Sequence, residues 1–243
     1  MQKTYILVHG AWLGAWCWDM VKPYLEAEGH KVIALDLPGH GSNIAPIEEQ
    51  NMETYTRYVE SVLREQAEPV ILVGHSMGGM SISQASARVP EKVKKLVYVA
   101  AFLPRDGQSA DGLDNGIKPT PWREMAKQGI AVTMDESGNV SELIPEDAIK
   151  LLYNDIDEET GRELVKGLTK ENINAQYMSV SLNEAFDAIE KVYIRTARDT
   201  ISVPELQDKM LAATPCKAVY TMDCGHSPYH TKPKELAEIL LQL

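Results

Sequence analysis

Cysteine is scarce in this chain of 243 residues: only Cys17, Cys216 and Cys224 occur, far apart. An odd, sparse set does not form the disulfide framework of a small secreted domain, so we expect small buried thiols in a reducing compartment. There is also no run of about 18 apolar residues, the length that a membrane-spanning helix needs. The N-terminal apolar run is too short for a signal peptide. These absences predict a soluble, cytoplasmic protein.

Basic residues are outnumbered, with 24 Lys and Arg against 35 Asp and Glu, for a net charge of -11. An acidic surface repels phosphate backbones, which disfavours nucleic-acid binding. No lysine follows the glycine-rich turns as in a P-loop, and no dinucleotide-binding fingerprint occurs. His226 and His230 are four residues apart, but no third ligand stands at metal spacing. The sequence therefore predicts no cofactor, no metal, no nucleic-acid partner and no membrane partner.

Short apolar runs alternate with amphipathic segments through the first 100 residues. Continuous apolar strands separated by helices are typical of a parallel sheet covered on both faces, which predicts an α/β fold. The predicted strands are Tyr5–Val8, Val32–Leu35, Val70–Val73 and Val93–Ala101, and the predicted helices are Trp16–Glu28, Thr54–Gln66 and 77–88.

This alternation stops after Phe102 and resumes near Val192. Between them the strand signal is weak, and prolines, glycines and polar helical stretches dominate, which indicates an inserted lid. We predict an α/β core formed by residues 1–103 and 186–243 and an inserted helical cap formed by residues 104–185. The predicted helices of the cap are Pro145–Tyr153 and Glu158–Leu168; the later core elements are the strands Val192–Thr196 and Lys217–Thr221 and the helices Pro204–Ala212 and Lys234–Leu241.

The strongest motif is Gly74-His75-Ser76-Met77-Gly78, which follows a predicted strand and precedes a predicted helix. That is the context of the G-x-S-x-G nucleophile elbow, in which a strained turn exposes the serine hydroxyl above the sheet. Glycines two positions before and after the serine avoid clashes in so sharp a turn. The alternative, a glycine-rich turn with an incidental serine, fits this context less well. The motif predicts Ser76 as a nucleophile.

A serine hydroxyl needs a base, and the base needs a carboxylate to orient it. In this strand order the base comes last in the chain and the carboxylate lies between it and the serine. His226 follows the last predicted strand, and Asp199 follows the strand before it. His230 and Asp223 are the alternatives, but Asp223 is only three residues from His226 and is badly placed to reach the far ring nitrogen. We predict a catalytic triad of Ser76, Asp199 and His226.

Ester and amide chemistry also needs donors for the oxygen that becomes negative. The expected donors are the backbone amides of Met77, directly after the serine, and of Ala11, in the loop after the first strand. Gly10 would leave the approach open for a substrate. Of the tryptophans, Trp12 and Trp122 are the better candidates for walls of the substrate pocket, since large aromatic residues otherwise belong mostly to cores.

Taken together, these motifs resemble the plant methylesterase and hydroxynitrile lyase group of the α/β-hydrolase superfamily, and the bacterial EstC-like esterases. The resemblance covers nearly the whole chain, and it is least clear in the cap. Its matching segments are Leu7-Val8-His9-Gly10-Ala11-Trp12, Gly14-Ala15-Trp16-Cys17-Trp18, Gly29-His30-Lys31-Val32, Gly74-His75-Ser76-Met77-Gly78-Gly79, Val192-Tyr193-Ile194 with Asp199, and Gly225-His226 with Pro233.

The resemblance implies an α/β-hydrolase fold with six or more parallel strands, a helical cap, a Ser-Asp-His triad at Ser76, Asp199 and His226, and often a homodimer. It also distinguishes two activities. Carbon-carbon lyases of one stereochemical type have threonine and lysine where this chain has Gly10 and Ser227, and those of the other type have asparagine in place of Gly10. The chain therefore resembles the esterase branch.

The sequence leads to the hypothesis of a cofactor-independent serine carboxylesterase that acts on a small-molecule ester, such as a methyl or aryl ester. A hydroxynitrile lyase and a non-catalytic small-ligand receptor on the same fold are the two alternatives. Cyanide release would favour the first alternative, and tight binding without turnover would favour the second.

Overall fold

A computed structural model describes residues 2–115, 124, 125 and 127–243 of the chain. Its main sheet has six strands in the order β2-β1-β3-β4-β8-β9, and every neighbouring pair is parallel. Numbered in chain order, these strands are β1 (Thr4–Val8), β2 (Lys31–Leu35), β3 (Val70–His75), β4 (Val93–Val99), β8 (Lys191–Thr196) and β9 (Ala218–Met222).

The central strands are apolar throughout because both faces of the sheet are covered. All six residues of β3 are buried. Successive side chains of a strand point to opposite faces, so Ile6 and Leu72 join one hydrophobic core while Leu7 and Val73 join the other. The continuous apolar runs of the sequence therefore correspond to this two-sided burial.

Helices cover the two faces of the sheet, close to the predicted positions. The predicted helix Trp16–Glu28 is the exception: it is divided into a 3-10 turn, Ala15–Trp18, and a short α-helix that begins at Lys22. Pro23 explains the division, because proline has no amide hydrogen to donate and is tolerated only in the first turn of a helix. The core helices are α1 (Lys22–Ala27), α2 (Met52–Arg64), α3 (Gly78–Arg88), α9 (Pro204–Ala213), α10 (Pro228–Thr231) and α11 (Pro233–Leu241).

The segment between β4 and β8 contains short helices, but it also contains a three-stranded antiparallel sheet in the order β5-β6-β7. The prediction of a helical cap did not include this sheet, because its strands are only two to four residues long and contain polar residues. We keep the name cap for residues 104–185; these boundaries stay a prediction. The cap elements are α4 (Ala110–Asp114), β5 (Val132–Met134), β6 (Val140–Leu143), α5 (Pro145–Leu152), α6 (Glu158–Leu164), β7 (Glu171–Asn172) and α7 (Asn174–Tyr177). The helix α8 (Glu184–Ala188) crosses the predicted boundary between cap and core.

Within the described residues, no helix has both the length and the apolar character needed to cross a bilayer.

Candidate active site

The turn between β3 and α3 has the strained geometry of a nucleophile elbow. Ser76 has a φ of 50°, a left-handed conformation that is uncommon outside glycine. A Cβ atom on Gly78 would lie 2.5 Å from the carbonyl oxygen of His9, and one on Gly74 would lie 3.0 Å from the backbone of Gly78. The two glycines are therefore required by the close approach of neighbouring backbone. Ser76 lines a cavity of about 370 Å³.

An imidazole and a carboxylate form a buried pair at the same end of the sheet. The Nδ1 atom of His226 lies 2.8 Å from Oδ2 and 3.0 Å from Oδ1 of Asp199. Because a carboxylate only accepts, Nδ1 carries the hydrogen, and Nε2 is left with the lone pair that a general base needs. The loops after β8 and β9 therefore bring together two side chains that are 27 residues apart.

Asp199 has further donors that keep its carboxylate oriented. The backbone amides of Ile201 and Ser202 donate to Oδ1 at 2.8 and 2.9 Å, and the hydroxyl of Thr196 donates to Oδ2 at 2.8 Å. These donors compensate for the loss of hydration of a carboxylate that is almost completely buried. The pair thus holds one tautomer of His226 in one orientation.

The alternative residues lie in other surroundings. His230 stacks on Trp16 with 5.5 Å between ring centroids, and within the described chain neither of its ring nitrogens has a hydrogen-bond partner. Burial lowers the pKa of His230 to about 4. Asp223 forms an exposed ion pair with Arg198 at 3.0 Å. The structure thus pairs His226 with Asp199. Neither His230 nor Asp223 takes part in this pair.

His75, which the sequence analysis did not select, ties the loop of His226 to the elbow. Its Nε2 atom donates to the carbonyl oxygen of His226 at 2.9 Å, and the two rings lie 4.7 Å apart. Burial, together with the neighbouring His226, holds the pKa of His75 well below its ordinary value, so its ring is neutral. Ser76 is the next residue, so this bond links the loop that carries His226 to the turn that carries Ser76.

The two residues that carry the predicted oxyanion donors belong to the wall of the same cavity as Ser76. Ala11 and Met77 both line it. Within the described residues, neither backbone amide donates to another protein group, so both are free to bind an oxyanion. Gly10 lies against the elbow instead, since a Cβ atom there would lie 2.7 Å from the Cβ atom of Ser76.

Trp12 lines the cavity as predicted, whereas Trp122 falls outside the described residues. Most of the remaining wall belongs to the cap, and the sequence analysis found none of it because no motif marks these positions. The other lining residues are Phe102, Ala110, Asp111, Asp114, Lys127, Val132, Met134, Ser141, Ile173, Gln176, Tyr177 and Ile201. The wall is therefore mainly apolar, with a few polar and charged groups.

Comparison with known proteins gives a consistent result. Residues 5–239 match the model of the "Alpha/beta hydrolase family". Methylesterase 7 of Arabidopsis thaliana is 32% identical, with 100% of this chain and 96% of that protein covered. Methyl jasmonate esterase 1 of Vitis vinifera is 30% identical, with 100% and 97% covered.

A solved structure of polyneuridine aldehyde esterase superposes with a TM-score of 0.83 at 26% identity, with 100% of this chain and 99% of that chain covered. These matches extend over the core and the cap alike. The fold, the strained serine turn and the matched sequence agree, and the chain belongs to the alpha/beta hydrolase family.

Proposed function

We propose that this protein is a serine carboxylesterase that hydrolyses small carboxylic esters through Ser76, His226 and Asp199. One observation carries the proposal: the strained Ser76 lies in the wall of a cavity, at the end of the sheet where His226 is paired with a buried carboxylate. The esterases among the relatives support the same reaction class.

In the first half of the reaction, Nε2 of His226 takes the proton of the Ser76 hydroxyl as the oxygen attacks the ester carbonyl. The carbonyl oxygen becomes negative and accepts hydrogen bonds from the amides of Ala11 and Met77. When the tetrahedral intermediate collapses, the bond to the alcohol oxygen breaks, and His226 returns the proton to the departing alcohol. The acyl group remains bonded to Ser76.

In the second half, His226 removes a proton from water, and the hydroxide attacks the acyl carbon. The acid leaves with one oxygen from water, and Ser76 regains its proton. Asp199 keeps its negative charge throughout and stabilises the imidazolium that forms twice. No cofactor enters either half.

The cavity supports a small substrate. Its volume of about 370 Å³ lies near the lower end of the range for small-molecule sites. Apolar side chains such as Phe102, Ile173 and Ile201 form much of its wall. We therefore expect esters with an aryl or short aliphatic acyl group and a small alcohol. The names of the relatives favour methyl esters.

The test is a panel of p-nitrophenyl acetate and methyl esters, assayed with wild type and Ser76→Ala. We expect wild type to hydrolyse at least the activated ester and Ser76→Ala to lose about a thousandfold or more in kcat. Ser137→Ala is the matched control, because Ser137 is an exposed serine that does not line the cavity; its hydroxyl donates to Asp135 and accepts from the backbone amide of Asn139. Equal rates for wild type and Ser76→Ala, or no hydrolysis by wild type, would refute the proposal.

The lyase alternative is not favoured. The residue after His226 is Ser227, whose hydroxyl is fully buried and donates to the hydroxyl of Tyr229 at 3.2 Å. A lysine at this place would have to put its ammonium group into this buried site. Measurement of cyanide release from mandelonitrile separates the two activities, and we expect none above background.

A further inference from the structure

The loop that carries the Ala11 amide contains a backbone conformation that needs support. Trp12, the next residue, has a φ of 60°. Non-glycine residues in this region are strained and persist only where surrounding contacts hold them. The conformation of Trp12 fixes the direction of the peptide next to the Ala11 amide. Whatever holds Trp12 therefore also holds an oxyanion donor of the proposed reaction.

Two contacts that hold Trp12 come from the cap. The backbone amide of Thr169 donates to the carbonyl oxygen of Trp12 at 2.8 Å. On the side-chain end, the indole Nε1 of Trp12 donates to the hydroxyl of Ser141 at 3.0 Å. Ser141 lies in β6 and is 1% exposed, so water does not replace this bond easily. The cap thus contacts both the main chain and the side chain of the strained residue.

The hydroxyl of Ser141 is itself held in one orientation. It accepts from Trp12 and donates to the carbonyl oxygen of Glu171 in β7 at 3.2 Å. The carboxylate of Glu171 is bound to the core in turn, by the hydroxyl of Tyr55 at 2.7 Å and by Nε2 of His40 at 3.1 Å. Glu171 therefore links the core to the oxyanion loop, with its carboxylate bound to the core and its carbonyl oxygen bound to Ser141.

We propose that Ser141 is a positioning residue for the oxyanion hole, acting through its hydrogen bond with Trp12. This inference rests on the proposed esterase function and extends it: the cap both encloses the substrate and completes the geometry of the site. Misplacement of a catalytic group by about 1 Å can reduce a rate a hundredfold. A lost supporting hydrogen bond should have a smaller effect than a lost oxyanion donor.

The first experiment compares Ser141→Ala with the control Ser137→Ala. Ser137 lies in the turn that leads into β6. We expect kcat for the ester to fall about tenfold in Ser141→Ala, with KM changed less than about twofold. A trifluoromethyl ketone, which forms a tetrahedral adduct with a serine, should bind about tenfold more weakly as well, because its oxyanion occupies the same hole. Ser137→Ala should match wild type in all three quantities.

The second experiment is a double-mutant cycle with Trp12→Phe, which keeps an aromatic ring and removes the indole N–H. Each single variant breaks the same hydrogen bond. We therefore expect the fold decrease in kcat of the double variant to be at most about twice that of the more impaired single variant. Trp12→Phe also gives a result independent of any effect of Ser141→Ala on folding.

Three outcomes would overturn the inference: an unchanged kcat in Ser141→Ala, a change confined to KM, or a double variant in which the fold decreases in kcat of the two single variants multiply. Each presupposes a wild type that hydrolyses esters. A wild type without esterase activity would refute the proposed function itself, so the two failures are distinguishable.

Discussion

Where β7 of the cap meets the core, the contact is made by a buried carboxylate, whereas a second contact between cap and core consists of aromatic rings. We call these the carboxylate contact (Glu171, His40 and Tyr55) and the aromatic contact (Trp16, Tyr153 and His230). In the first, Glu171 is fully buried and each carboxylate oxygen has a partner from the core.

In the aromatic contact, the rings of Trp16 and Tyr153 lie 5.5 and 5.8 Å from that of His230. The polar atoms of these three rings are buried, and none has a hydrogen-bond partner within the described chain. Ring faces pack without directional bonds, whereas a buried charge requires them. The carboxylate contact is therefore directional, whereas the aromatic contact depends on the packing of ring faces.

The largest effect should come from Glu171→Ala. This change leaves His40 and Tyr55 buried without their acceptor, so we expect a loss of about 3–5 kcal/mol in the free energy of unfolding. Urea denaturation measures it. The control is Glu142→Ala in β6, whose ion pair with Lys170 is exposed and should contribute little to stability. Similar losses in both variants would contradict the distinction between the two contacts.

A smaller effect is expected for Tyr55→Phe, which keeps the ring and removes one donor to the carboxylate. A hydrogen bond to a charged group contributes about 1.5–3 kcal/mol, and we expect a loss in this range by the same denaturation assay. Tyr58→Phe on the same helix is the control, because within the described residues the hydroxyl of Tyr58 has no protein partner. A loss no larger than that of the control would argue against the carboxylate contact.

The smallest effect at neutral pH is expected for His230→Phe in the aromatic contact. The stacking is kept and two unpartnered nitrogens are removed, so the free energy of unfolding should change by less than about 1 kcal/mol at pH 7.5. A loss as large as that of Glu171→Ala would show that the ring nitrogens have partners and that the aromatic contact is also directional.

The same variant should alter the pH dependence of stability. Burial lowers the pKa of His230 to about 4, below the value near 6.5 expected for an unfolded chain. The folded state thus favours the neutral ring, and stability is lost as the pH falls from about 6.5 towards 4. The variant lacks this loss, so it should gain stability relative to wild type between pH 7 and 4.5. A difference in the free energy of unfolding between variant and wild type that stays constant across that pH range would contradict the buried environment assigned to His230.

The sequence predicted the parallel core well, because its strands are apolar on both faces and its helices are amphipathic. It also predicted the pairing of Asp199 with His226, since the strand ends of a parallel sheet converge; the role of Ser76 with this pair stays a prediction. The resemblance to the α/β-hydrolase superfamily is confirmed by the family match.

The cap could not be predicted to the same depth. Its strands, β5, β6 and β7, are too short to show an alternation of apolar and polar residues, so the sequence did not reveal them. A glutamate in a polar segment gives no indication that it is buried, and Glu171 becomes recognisable only when His40 and Tyr55, more than 100 residues away, are seen beside it. Such contacts depend on tertiary packing and not on local pattern.

The most direct test of the account is covalent labelling with a fluorophosphonate followed by peptide mass spectrometry. The phosphonyl group should be found on Ser76 in wild type, be absent from Ser76→Ala, and form about a thousandfold or more slowly in His226→Ala, because the base that activates the serine is missing. A wild type that is not labelled at Ser76, or a His226→Ala variant labelled as fast as wild type, would contradict it.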